Sequence, residues 1–222
     1  MSTIDASELL RPGLLEGVSI LLAGASAGRA EADGVLGDGV SRACAELGAR
    51  VCGLSVDVSS GHEEADIEHA AHAAVERALA DGGTVELLVV DCAGVFGQSG
   101  GAAGGSSAEG PRAALRACLD IAWNVTRAAV DGAFMPGARG GRIVYLAPPA
   151  DGGEHADAAC AGLENLARTL SIEWARHGIT PVTIASEASA MEEVAALVAY
   201  LASPAGAYFS GCLLDLRSVA GA

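Results

Sequence analysis

The chain has 222 residues, 51% of them hydrophobic but only 4% aromatic, and 28 acidic side chains against 13 basic ones give it a net charge of −15. Every basic residue is arginine, and there is no lysine. A surface of that sign repels nucleic-acid backbones and anionic lipid headgroups, so neither nucleic acid nor membrane is expected as a partner.

No apolar run approaches the roughly 20 residues of a membrane span. The opening Met1-Ser2-Thr3-Ile4-Asp5 lacks the basic character of a secretory leader, so a cytoplasmic location is expected. The cysteines at 44, 52, 92, 118, 160 and 212 show no Cys-x-x-Cys spacing and sit in apolar runs. They read as buried free thiols in a reducing compartment rather than as a disulfide or zinc framework.

Short apolar runs bounded by glycine, proline or polar residues lie at 18–23, 50–56, 85–90, 142–146, 181–185 and 212–216. Each suits a strand buried on both faces. Between them, helical periodicity covers 38–47, 62–81, 110–134, 157–177 and 190–202. Six strands with intervening helices predict an α/β fold over 1–222, a single doubly wound, parallel, Rossmann-like domain. The glycine-rich stretch 97–110 is expected to carry no regular structure.

Two helices matter for association. In 110–134, Leu115, Cys118, Ala122, Val125 and Ala129 form one stripe, and Leu119, Trp123, Val130 and Phe134 form a second. One stripe covers the sheet, and the other needs a different partner. In 157–177, Leu163, Leu166, Leu170 and Trp174 fit the sheet side, while Ala158, Ala161 and Ala175 permit close helix approach.

Free-standing chemistry is sparse. His62, Asp66 and His69 share a helical face, but three surface ligands without a fourth read as a solvated face, so no metal site is expected. Cys160 has His155 nearby in sequence, yet it reads as a structural thiol. No Gly-x-Ser-x-Gly elbow or Ser/His/Asp arrangement is legible.

Residues 17–216 resemble the short-chain dehydrogenase/reductase family. Leu21-Leu22-Ala23-Gly24-Ala25-Ser26 is similar to its first strand and phosphate-binding turn, Asp91-Cys92-Ala93-Gly94 to its Asn-Asn-Ala-Gly, and 155–185 to its active-site helix and following strand. In that family a Tyr-x-x-x-Lys pair opens the helix, the tyrosine supplying a proton and the lysine lowering its pKa and holding the nicotinamide ribose. The matching positions here are Ala156 and Cys160. Cys118 stands where the resemblance implies an asparagine, and Pro148 where it implies a serine. The resemblance therefore implies no catalytic residue in this chain.

The cofactor positions have departed in the same way. Gly24, Ser26, Gly37, Asp57, Ala93 and Gly94 match remnants of the dinucleotide site. Gly24 and Gly37, however, lie farther apart than the family's turn allows, and Glu31 and Asp33 fall between them. Residues 50–58 are too short to hold two parallel strands with their crossover. They are expected to give one edge strand, which leaves the adenosine side incomplete. No cofactor is expected in this chain.

The resemblance also implies pairing through helices 110–134 and 157–177. The expected function is a non-catalytic subunit bound to an active relative that carries NAD(P), with a homo-oligomer as the other possible assembly. An active oxidoreductase with a non-standard site, and a ligand-sensing or structural Rossmann module, are the alternatives.

Overall fold

The computed structural model describes residues 9–24, 36–55, 64–101, 110–137 and 139–217. Six parallel strands form one sheet: β1 (Ser19–Ala23), β2 (Arg50–Leu54), β3 (Leu87–Asp91), β4 (Gly141–Leu146), β5 (Ile179–Ala185) and β6 (Leu213–Asp215), in the order β2-β1-β3-β4-β5-β6. The helices are α1 (Leu36–Glu46), α2 (Glu64–Gly82), the short α3 (Cys92–Phe96), α4 (Gly110–Ala129), α5 (Ala156–Glu173) and α6 (Met191–Ala202).

The alternation of side chains along each strand sorts the core into two layers. Leu88, Val90, Ile143 and Tyr145 face α2, α4 and α5. Leu87, Val89, Val144 and Leu146 face α1 and α6. With both faces covered, β1 and β3 are buried at every position, which is why they read as continuous apolar runs. Alanines 71, 74 and 78 on α2 let that helix lie close to the sheet despite the scarcity of aromatic filler.

The expected architecture is present, with six strands and β2 at the sheet edge. Only one strand is described between 48 and 55, and the next described element is α2. Two expectations need correction. The glycine-rich run is not irregular throughout, because Gly97–Gly101 forms a π-helical turn ended by Gly100 at φ +89°. Helix 110–134 is not one continuous α-helix either: α4 gives way to a π-helical turn at Val130–Phe134. A wider turn shifts the helical register, and Val130 and Phe134, both 1% exposed, point into the core instead of extending an outer stripe.

The strand beginnings are held by ionic side chains. Arg50 donates to Ser19 Oγ and to the Asp81 carbonyl, both at 2.8 Å, and Glu86 accepts the Ser19 N–H at 2.7 Å. Arg142 donates Nη1 to the carbonyls of Leu201 at 2.9 Å, Ala202, and Ser203 at 2.6 Å, capping the end of α6. Among the described residues no helix is long and apolar enough to cross a membrane.

Candidate functional site

In an open parallel sheet the ligand crevice lies beyond the carboxyl ends of the strands, where successive connections leave in opposite directions. Here that point falls between β1 and β3. The described residues enclose about 290 Å³ there, bounded by Leu36, Ala93, Gly94, Pro149, Ser186 and Glu187, among others. A larger cavity of about 660 Å³ sits at the opposite end, beneath the starts of β3, β4 and β5. Two arginines line it, Arg139 and Arg142, the second committed to the end of α6; the strand-end topology places the candidate site in the smaller crevice.

The floor of the crevice is organised by Asp91, which is fully buried at the end of β3. Its Oδ1 accepts the Gly94 N–H at 2.9 Å, capping α3, and its Oδ2 accepts the Gly37 N–H at 3.1 Å from the first turn of α1. Burial pushes the Asp91 carboxyl above the usual range, the two backbone N–H groups pull it down, and Asp38 pushes it up again. Gly24, at φ +93°, allows the close approach of β1 and β3, since a Cβ there would lie 2.8 Å from the Asp91 carbonyl oxygen.

The four positions matched to catalytic ones come to the same end of the fold but offer little chemistry. Ala156 is buried at the start of α5, just after His155, whose φ of 72° is left-handed. Pro148 is buried after β4. Cys160 is nearly buried; burial pushes its thiol up, against a smaller downward pull from Arg217. His155 is turned to Glu154 at 3.5 Å rather than paired with Cys160.

Arg217, a cation near this mouth, binds Asp215 through Nε at 2.8 Å and Nη2 at 2.6 Å. That pairing holds the Asp215 carboxyl down at about 2. Cys118 is fully buried on α4.

No tyrosine reaches the mouth from elsewhere. Tyr145 is fully buried, its hydroxyl 2.8 Å from Thr126 Oγ1, and Tyr200 and Tyr208 belong to the end of α6 and the turn after it, on the far side of the sheet. These are the chain's three tyrosines. Asn124 is buried with Nδ2 on the Asp120 carbonyl at 3.0 Å and Oδ1 without a partner.

The described residues fit a dinucleotide poorly. The Gly37 N–H, a donor that a phosphate at the start of α1 would use, already serves a carboxyl. Glu187 places a carboxyl group on the wall where an anionic pyrophosphate would lie. The crevice is also slightly smaller than the roughly 300–1,000 Å³ of small-molecule pockets. Gly37, Ala93 and Gly94 do converge here, whereas Ser26 and Asp57 lie outside the described residues. So does His62, and no cluster of three or more His, Cys, Asp or Glu suited to a metal occurs among those described.

The Asp91–Gly37 bond escaped sequence reading because it joins residues distant in sequence, and the available signal was that Asp91 replaces an asparagine of the resembled motif.

The sheet order and the two helical layers define a single-sheet, Rossmann-like α/β domain, the fold of short-chain dehydrogenase/reductase structures. Within that class the chain is similar along nearly its whole length to a short-chain dehydrogenase from Mycobacterium smegmatis, with a TM-score of 0.71, 23% identity, and 98% of this chain and 96% of that one covered. It is likewise similar to the citronellol catabolism dehydrogenase AtuB of Pseudomonas aeruginosa PAO1, with a TM-score of 0.69, 24% identity, and 96% and 98% covered. A third likeness is to a double mutant of a Serratia marcescens short-chain dehydrogenase/reductase, with a TM-score of 0.69, 20% identity, and 94% and 100% covered. No protein-family model and no curated protein matches the chain.

Proposed function

We propose that this chain is a non-catalytic subunit with the short-chain dehydrogenase fold, paired with an active relative in an NAD(P)-dependent oxidoreductase. The observation that carries the reading is the supply of proton donors at the mouth. All three tyrosines lie elsewhere, lysine is absent, and Ala156, Cys160, Pro148 and Cys118 stand at the matched positions. Hydride transfer to or from a carbonyl needs a positioned acid or base. A buried thiol kept protonated and an arginine tied to its own carboxylate are poor candidates for either role.

The pairing surface is the outer side of α4 and α5. The two helices lie close, since a Cβ on Gly162 would come within 2.9 Å of Leu119. Trp123, at 37% exposure, and the exposed Ala158 and Ala161 leave a low, partly apolar face. Such a face suits helix-on-helix docking.

Co-expression with an active short-chain dehydrogenase of the same organism tests the reading. Copurification, with turnover that depends on the relative's own catalytic residues, is the expected result. Turnover by the isolated chain would replace this reading with that of an active enzyme with a non-standard site. Titration of NADH and NADPH, followed by their fluorescence, tests the cofactor side. Saturable binding by the isolated chain at low micromolar Kd, about 8 kcal/mol, would overturn the expectation that no cofactor is held.

A further inference from the structure

The cavity of about 660 Å³ beneath the strand beginnings falls within the roughly 300–1,000 Å³ of small-molecule sites. Four connections enclose it: α2 to β3, α4 to β4, α5 to β5 and α6 to β6. Two of them close on each other at Gly140, φ +72°, where a Cβ would run into the Gly178 carbonyl. Leu79, Val85, Pro136 and Ala207 give the wall an apolar part, while Arg142, Thr180 and the exposed Arg139 supply polar groups.

Arg142 is half-buried, and its hydrogen bonds among the described residues all leave from Nη1, toward the carbonyls of Leu201, Ala202 and Ser203. None uses Nε or Nη2, the edge of a guanidinium on which a carboxylate docks through two parallel bonds. Arg217 makes that pairing elsewhere in this chain, its Nε and Nη2 gripping Asp215 at 2.8 and 2.6 Å. Arg142 enters no ion pair among the described residues. Glu86, which acts on it at longer range, already takes the Ser19 N–H. Burial outweighs Glu86 and pushes the Arg142 guanidinium below its ordinary value, as expected of a cation short of a counter-ion.

We propose that this cavity binds an amphipathic monocarboxylate, its carboxylate on the Nε–Nη2 edge of Arg142 and its apolar body against Leu79, Val85 and Pro136. One negative charge suits the site better than two. Glu86 lines the same cavity and the chain carries a net charge of −15, so a phosphate dianion is repelled. The site binds rather than reacts, because chemistry in a parallel sheet belongs to the strand ends. It stands apart from the subunit reading and holds whether or not the chain pairs with a relative.

Isothermal titration of the full chain with 4-phenylbutyrate tests the proposal, with 4-phenylbutyramide and inorganic phosphate as comparisons. The acid should bind saturably at one equivalent with a Kd below about 1 mM. The amide, which offers no anion to the guanidinium, should bind about tenfold more weakly or not at all. Phosphate should give no saturable heat. Ala207→Trp fills the cavity from an exposed position in the turn after α6 and should abolish binding while the thermal midpoint stays near the parent's. Arg142→Lys keeps a cation for the α6 carbonyls but loses the two-pronged edge, and should weaken the acid about tenfold. If Arg142→Lys does not fold, the amide comparison and Ala207→Trp decide the matter alone. Equal binding of acid and amide would reduce the cavity to an apolar hollow and overturn the proposal. So would binding of phosphate without the acid, undiminished binding by folded Ala207→Trp, or no saturation by the acid up to about 10 mM.

Discussion

The two ends of the sheet are built from different materials. Where the strands begin, arginines and a glutamate tie elements together: Arg50 joins β2 to β1 and α2, Glu86 takes the Ser19 N–H, and Arg142 closes the end of α6. Where the strands end, the crevice is lined by glycine, alanine and proline, with Asp91 beneath it and Glu187 at its wall. Arg217 stands near that mouth but is bound in a fork by Asp215. In a parallel sheet the strand ends are the place for chemistry and the strand beginnings the place for stability. Arg50 and Arg142 hold the fold at one end, and no cationic side chain is among the described residues that line the crevice at the other.

The contrast breaks down if the strand beginnings prove tolerant. Val130→Arg should have the largest effect, because Val130 is 1% exposed under the π-helical turn and an unpaired charge there costs on the order of 5 kcal/mol. That is enough to unfold a marginal domain, and loss of the folded circular-dichroism signal is the expected outcome. Arg142→Ala should follow at about 3 kcal/mol, since charged hydrogen bonds to three carbonyls at the end of α6 go together. A urea midpoint unchanged by this variant would mean that water replaces the guanidinium at no cost, and the two ends would then be alike.

At the other end, Asp91→Asn probes a single buried carboxyl. Its folded pKa is raised above 3.8, mainly by burial. A carboxyl raised on folding favours the folded state when protonated, and that contribution is lost as pH climbs from about 3.8 through the folded value. The asparagine variant has no such dependence. Its stability relative to the parent should therefore rise with pH, as measured by urea unfolding at pH 4 and pH 7, offset by a constant loss of the Gly37 bond. A difference that shrinks as pH rises would show that the two N–H donors outweigh burial and that the crevice floor favours an anion.

The fold was legible because β1, β3 and β4 must be apolar on both faces, and runs such as Leu87-Leu88-Val89-Val90 allow little else. The helix that carries Ala156 and Cys160 was legible too, through the periodicity of 157–177. The direction of Val130 and Phe134 was not. Periodicity assumes one helical pitch, and nothing in Val130-Asp131-Gly132-Ala133-Phe134 announces a wider turn. The Asp91–Gly37 bond was hidden for another reason. It depends on how α1 and β1 sit against β3, which is set by tertiary packing and not by any local pattern.

The outer side of α4 gives the smallest effect on stability and the sharpest one on assembly. Trp123 keeps 37% of its surface exposed and is touched by Arg127, whose guanidinium lies 6.0 Å from the ring centroid and which also pairs with Glu68 at 3.1 Å. Trp123→Arg forfeits that cation–π contact, worth about 1 kcal/mol or less at an exposed site, and sets two arginines side by side. The fold should survive, with circular dichroism and thermal midpoint close to the parent. In a docked helix pair the same substitution buries an unpaired charge at the centre of an apolar patch, where single residues dominate affinity. Light scattering should then report loss of the complex with the active relative, while Ile172→Arg, at a 74% exposed position farther along α5, should disturb it less. A folded Trp123→Arg chain that still assembles would move the interface off α4 and α5. A parent chain that stays monomeric both alone and beside its active relative would remove the subunit reading altogether.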